Sequence, residues 1–362
     1  MAPATERAAS AMIGLILAGG VGSRFWPVSR RRRPKQLLDL LGGGSLLAAT
    51  ARRIEPLCGA DGIWVCTTEE LAAAVASELP ELAASRVLGE PSGRNTAPAI
   101  GWAVRSMPEE VRGGVIAVFP SDHWVADEDA FREVLRRGAV AVREGACDVV
   151  TVGVEPAWVE TGYGYLELAK PPVEGGVEPV VRFTEKPDPE TAARFKASGR
   201  HFWNAGIFLF RGDVLLDLYG RHLPELAAGL ERLAAEDGDA QRRRALYADL
   251  ESVSIDYGLM EKLSSIGCVA ADCGWNDLGS WASLAEALPA DGDGNRTVGD
   301  TVAVDARDNL LFADGGTVAA IGVEGLAVVR TGDAVLVVPR ERAQDVRRIV
   351  DRLRALGRRD LL

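Results

Sequence analysis

The 362-residue sequence contains no apolar run approaching the roughly 20 residues that a membrane-spanning helix requires. Its only five cysteines, Cys58, Cys66, Cys147, Cys268 and Cys273, are odd in number and include no C-x-x-C pair. A closely spaced zinc site is thereby excluded, and the set reads as reduced thiols in a cytoplasmic protein. Positive balance is missing too: 41 basic side chains stand against 52 acidic ones, a net charge of -11. Such a field repels nucleic acid and anionic membrane, so a polyanionic ligand would have to be met by a local basic site. A secretory leader is not evident either, because the short apolar stretch 12–18 follows an Arg7 balanced by Glu6 and runs into a glycine turn instead of a cleavage site. Finally, no G-x-x-x-x-G-K-[ST] string follows a strand, and Gly20 and Gly22 are succeeded by Phe25 where a dinucleotide fingerprint needs a third glycine. The P-loop and dehydrogenase readings both lose their main support.

What is present is the composition of an ordinary globular protein, 47% hydrophobic and 26% charged, in a chain long enough for two or three domains. After residues 1–10, which lack an apolar period and read as a loose tail, short apolar runs recur at 12–18, 62–67, 115–120 and 148–154. Amphipathic stretches at 45–57, 69–79 and 129–144 lie between them. That alternation predicts an α/β, Rossmann-like domain on a mainly parallel mixed sheet, with ligands beyond the carboxyl ends of the strands. From about 160 to 290 the pattern loosens, as for an insertion built onto the same sheet. Beyond the turn-rich segment 289–300, closely spaced valine strands predict a small C-terminal β domain, short and solenoid-like, closed by a terminal helix within 341–356. The expected division is thus a tail at 1–10, a larger α/β domain at about 11–289 and a β domain at about 290–362. The larger domain would have halves at about 11–155 and 156–289.

The segment 15–40, LILAGGVGSRFWPVSRRRRPKQLLDL, raises the central question of what so much positive charge does beside a glycine-rich loop. Gly19, Gly20 and Gly22 let backbone approach a phosphate chain, and Arg24, the arginines at 30–33 and Lys35 could supply charge-assisted hydrogen bonds. A triphosphate suits that equipment. A tight turn followed by a solvated basic loop also fits the loop taken alone.

The loop is similar to the GG-x-G-x-R and PKQ signature of sugar-1-phosphate nucleotidylyltransferases. GEPSGRNTAPAI, FPSDH, TEKPD, WNAGIF, SIDYGLMEK and WNDLGSW follow in the order seen in mannose-1-phosphate guanylyltransferases, over about 15–345. Val28 stands where that family usually has leucine. The resemblance implies transfer of GMP from GTP to mannose 1-phosphate with Mg²⁺, releasing pyrophosphate, in a homodimer. Many bacterial relatives carry a fused cupin-type isomerase, and the sequence ends too early for one, so transferase activity alone is expected.

Because the attacking sugar phosphate is already an anion, such a reaction needs positioning and charge neutralisation and no general base. The resemblance places Arg24 and Lys35 on the triphosphate, and Asp122 and Asp277 on the metal. Without it, each Asp passes for a turn or cap residue. Glu90 is an acceptor suited to the N1–H and N2 amino donors of guanine, with Arg94, Asn95 and Thr96 closing on base or ribose. Asn95 or Thr96 can equally cap the following helix. Gly164, Glu185, Lys186 and Asn204 are implied for the sugar phosphate. His123 reads as structural or as a partner orienting a carboxylate, Asp256 and Tyr257 have no individual role, and Trp203, Trp275 and Trp281 read as core. Two other readings stay open: a guanylyltransferase for a heptose or glucose phosphate, and a silent nucleotide-sugar-binding regulatory homologue.

Overall fold

The computed structural model describes residues 12–20, 22–236 and 238–362; the tail read over 1–10 lies outside them. The four apolar runs form strands β1 (Ile13–Leu17), β2 (Ile63–Thr68), β4 (Val115–Pro120) and β5 (Val149–Val154), and a short strand that has no apolar run, β3 (Val87–Glu90), joins them. Helices Leu46–Cys58, Ala72–Glu78 and Glu128–Arg143 occupy the amphipathic stretches. In the middle of the chain lie β6 (Tyr165–Leu168), β7 (Glu178–Thr184), β8 (His201–Arg211) and β9 (Ile266–Ala271).

These nine strands make one sheet in the order β3-β2-β1-β4-β8-β5-β9-β7-β6. The pairings β1–β2, β1–β4 and β2–β3 are parallel, as is β5–β9. The middle strands enter antiparallel, β8 between β4 and β5, and β7 against β9. The sheet is therefore α/β and mixed. Its first half is parallel, and β1, β2 and β4 are buried along most of their length, hence their unbroken apolar runs, while the edge strand β3 is only half-buried.

After 290 the strands β10 (Arg296–Val304), β11 (Leu310–Ile321), β12 (Leu326–Arg330) and β13 (Val335–Pro339) form a separate four-stranded sheet. Its first three strands stack in parallel, the arrangement of a short solenoid, and β13 folds back antiparallel on β12. Asn295 and Asn309 form a short buried ladder on the inner side. Asn309 donates through Nδ2 to Asn295 Oδ1 at 3.0 Å and to the Val323 carbonyl at 3.0 Å. Helix Val346–Ala355 closes the chain.

The chain forms two discontinuous compact units. The first holds the described residues up to Gly19 with Ala51–Ser121 and Val125–Trp275, and the second holds Gly20–Thr50, Asp122–Trp124 and Asn276–Leu362. The second has its own core, in which Phe25, Trp26, Leu278, Trp281, Phe312, Val346 and Val350 are all buried. Trp281 is fully enclosed, with its ring 4.9 Å from Phe25 and 5.3 Å from Phe312, and its indole donates to the Trp26 carbonyl at 3.1 Å. Among the described residues no helix is long and apolar enough to cross a membrane, and all five cysteines are free.

Candidate active site

In the second unit, the glycine loop is shaped by positive backbone φ at Gly20 (91°) and Gly22 (63°), the left-handed region that costs glycine little. A Cβ at Gly22 would lie 2.4 Å from Cβ of Lys35, so only glycine lets the loop close on that lysine. Gln36 steadies the turn by donating to the Gly20 carbonyl at 3.3 Å.

Lys35 is 4% exposed, and its ammonium donates to Asp122 Oδ2 at 2.7 Å and to the Asp277 carbonyl at 2.7 Å. Three residues from three remote sequence motifs thus meet at one nitrogen. Burial by itself would push the Asp122 carboxyl up. The Lys35 ammonium, with His123 and hydrogen bonds, outweighs it and holds the carboxyl below the ordinary range. The Asp277 carboxylate accepts from the Gly279 N–H at 2.8 Å, and a Cβ at Gly279 would lie 2.6 Å from it.

Arg24, Lys35, Asp122 and Asp277 all line one cavity of about 930 Å³. Arg30 and Arg31 reach it, whereas Arg32 and Arg33 do not line it. Arg30 is paired with Asp333 at 2.9 Å, and Arg33 lies 3.9 Å from Asp314. Part of the conspicuous arginine run is therefore committed to acids of the C-terminal strands and turns. Motif reading did not find a further part of the lining: Arg347, Asp351, Arg354 and Arg359, from the last helix and the turn after it. The available signal was the spacing of 347, 351 and 354, which puts three charged residues on one face of a helix.

Among the described residues no cluster of three or more His, Cys, Asp or Glu side chains is assembled as a metal site. Two carboxylates at one cavity are nevertheless a fit for magnesium, which takes hard oxygen donors and needs only one or two from protein when phosphates supply others.

The first unit carries the remaining candidates. Gly19 follows β1 and is exposed. Glu90, at the end of β3, is 5% exposed and accepts a short 2.5 Å hydrogen bond from the Tyr247 hydroxyl. Burial pushes its carboxyl up to about 7, although the tyrosine hydrogen bond pulls the other way. Glu90, the residue expected at the guanine edge, is thus buried with its Oε2 bound by Tyr247. Arg94 is half-buried, and Asn95, at a positive φ of 72°, caps helix Thr96–Ser106 by accepting from the Thr96 N–H at 2.9 Å. Thr96 in turn accepts from the Ile255 N–H at 2.8 Å, tying this loop to the Asp256 segment.

Gly164, Glu185 and Asn204 come together because β6 pairs with both β7 and β8, setting Tyr165 opposite Thr184 and Trp203. A Cβ at Gly164 would stand 2.6 Å from Glu185 Oε2, so glycine makes room for that carboxylate. Lys186, at φ 45°, donates to Glu185 Oε1. Burial would lower the lysine, but the Glu185 hydrogen bond and charge raise it. A register break in β8 opposite Thr151 and Gly153 leaves Asn204 buried, where it accepts from Thr151 at 2.8 Å and donates to Asp256 at 3.2 Å. Burial, followed by the Glu185 charge, pushes Asp256 up to about 7. Tyr257 is exposed. Trp203 and Trp275, read as core, are joined here by two rings that sequence reading missed: Tyr163 stacks edge-on to Trp203 (5.3 Å) and Trp275 (5.8 Å), and half-exposed Trp158 lies 4.8 Å from Trp203.

Comparison with known proteins gives a Nucleotidyl transferase family model over residues 13–294 and a MannoseP isomerase/GMP-like beta-helix domain model over 299–353. The chain is 39% identical over 357 residues to the xanthan biosynthesis protein XanB of Xanthomonas campestris pv. campestris, spanning 96% of this chain and 74% of that protein. It is 36% identical over 368 residues to the mannose-1-phosphate guanylyltransferase of Escherichia coli K12, spanning 98% and 76%. A solved structure from Thermus thermophilus, described as a mannose-1-phosphate geranyltransferase, superposes with a TM-score of 0.86 at 38% identity, covering 95% of this chain and 99% of that one.

Proposed function

Because the chain belongs to the nucleotidyl transferase family, we propose that it transfers GMP from GTP to mannose 1-phosphate, releasing pyrophosphate. The observation that carries the reading is the convergence of Lys35, Asp122 and Asp277 at one cavity beside the glycine loop. Mannose and guanine are favoured by the seven ordered motifs and by the relatives of 36–39% identity whose names carry mannose-1-phosphate guanylyltransferase or a polysaccharide biosynthesis role. A prenyl donor would call for an apolar channel, and a cavity walled by arginines suits a polyphosphate instead.

In this reading the sugar phosphate oxygen attacks the α-phosphorus while pyrophosphate leaves in line. Arg24 and the N–H groups of the Gly19, Gly20 and Gly22 loop bind phosphate oxygens. The Lys35 ammonium, already desolvated, neutralises charge that grows between the nucleophile and the leaving group. Asp122 and Asp277 would hold a magnesium ion, which when bound offsets phosphate charge. Glu185, Lys186, Asn204 and Gly164 serve the sugar phosphate, with Asp256 fixing the Asn204 amide. Glu90, Arg94, Asn95 and Thr96 are the nucleoside-side candidates. The assigned domain limits are about 11–289 for transfer and 290–362 for the β domain. A cytoplasmic homodimer completes the reading, supported by the free thiols and by Val302, Val304, Ile321, Val335 and Val337 exposed on the terminal β sheet.

A pyrophosphate-release assay crossing four nucleoside triphosphates with mannose, glucose and heptose 1-phosphates, with and without Mg²⁺, tests it. A Mg²⁺-dependent signal confined to GTP with mannose 1-phosphate is expected. Activity with another pair would move the substrate, and silence across the grid would overturn transfer altogether.

A further inference from the structure

The second unit brings the end of the chain to the glycine loop. The Trp26 indole donates to the Leu361 carbonyl at 2.9 Å, and Val346 and Val350 bury themselves with Phe25 and Trp26. Docked this way, helix Val346–Ala355 shows its Arg347, Asp351 and Arg354 face to the cavity, and the following turn adds Arg359. Among the described residues the cavity is lined by six arginines and Lys35 against three acids, Asp122, Asp277 and Asp351, a positive site in a chain of net charge -11. Arg354 is paired with Asp351 at 2.9 Å and Arg30 with Asp333 at 2.9 Å. Arg24, Arg347 and Arg359 have no acidic partner among the described residues. Guanidinium groups gathered without counter-ions repel one another, and a multiply charged anion would relieve that repulsion.

We propose that Arg347 and Arg359, carried by the C-terminal helix and turn, bind the β- and γ-phosphates of the nucleotide and hold the departing pyrophosphate. This deepens the transferase reading and rests on it for the identity of the nucleotide. Lys35, Asp122 and Asp277 would stand at the reacting α-phosphate. The two remote arginines, with Arg24, would carry the part of the polyphosphate that leaves. On this view the β domain and its helix complete a binding site as well as packing beneath it.

The test uses the full chain and inorganic tripolyphosphate as probe, with affinity measured by calorimetry at fixed ionic strength. Charge-assisted hydrogen bonds of this kind lead to an expected loss of about tenfold or more in the Arg347→Ala/Arg359→Ala double variant. The matched control is Arg348→Ala, on the same helix but outside the cavity lining, which should bind as wild type. In turnover, the double variant should raise KM for GTP with KM for mannose 1-phosphate unchanged. An Arg347→Lys/Arg359→Lys variant should recover part of the affinity, which a misfolded helix would not allow. Unchanged tripolyphosphate affinity in the double alanine variant would overturn the inference even if GTP and mannose 1-phosphate react. Loss of that affinity in a protein that turns over no tested pair would sustain the inference while the transferase reading fell.

Discussion

Lys35 occupies an unusual position for its type, since an ammonium is seldom almost fully buried without a partner. Its two hydrogen bonds, to Asp122 and to the Asp277 carbonyl, supply that partner. We expect Lys35→Ala to lower kcat/KM by about two orders of magnitude or more, as loss of a preorganised charge does, and steady-state kinetics would register it. A second result is needed to separate chemistry from collapse: Asp122→Asn should also lose turnover while its melting temperature moves little, the amide still accepting from Lys35. Gly22→Ala meets a different obstacle, because its Cβ would lie 2.4 Å from that of Lys35. Nucleotide use should fall with it, and full activity in that variant would refute the loop geometry. Glu90 carries a pH signature. Its carboxyl is raised from 4.5 to about 7 in the folded protein, so between those values the unfolded chain loses a proton that the folded chain keeps. Stability attributable to Glu90 is thus complete below about 4.5 and declines as pH rises toward 7, by on the order of 2 to 3 kcal/mol. Denaturant titrations across that window should show a flatter profile in Glu90→Gln.

At the scale of elements, the terminal helix and the signature loop share one core. Trp281 touches Phe25 and Phe312 and holds the Trp26 carbonyl, linking the WNDLGSW turn, the glycine loop and the β sheet. Trp281→Ala should cost about 3 to 5 kcal/mol, the usual penalty for emptying a large aromatic site, read as a lower denaturant midpoint. Trp281→Phe keeps an aromatic ring and loses the hydrogen bond, so about 1 kcal/mol is expected. A cost as large for phenylalanine as for alanine would mean that the bond, and not the packing, secures the loop. These contacts explain why residues 20–50 belong to the same compact unit as 276–362. Strands β1, β2, β4 and β5 and the helices between them were legible from apolar runs and amphipathic periods, whereas the short β3, VLGE, has no apolar run to mark it. The β8 register break was not, because a bulge depends on what lies opposite and leaves no local period.

For the whole molecule, net charge and local charge have opposite signs, and a basic cavity in an acidic chain should make nucleotide binding salt-sensitive. KM for GTP is expected to rise as ionic strength increases from about 0.05 to about 0.3 M, because added salt screens the attraction between the basic lining and the triphosphate. The exposed aliphatic residues of the terminal sheet belong to this scale as well, since Val335 is 59% and Val337 is 60% exposed on the last strand. Replacing both by lysine should convert the proposed dimer to a monomer by light scattering without unfolding it. A wild-type monomer would end that part of the reading.

The sequence by itself determined the alternation of strands and helices, the small β domain and the ordered motifs that assign the family, because these are written in local period and residue identity. It also placed Arg24, Lys35, Asp122 and Asp277 as candidates. Tertiary structure decided which charged groups are committed: Arg30 turned to Asp333, Glu90 closed on Tyr247, and the arginines of the last helix reached a loop more than three hundred residues earlier. Charge and burial are properties of neighbours in space, and only packing makes residues 26 and 361 neighbours.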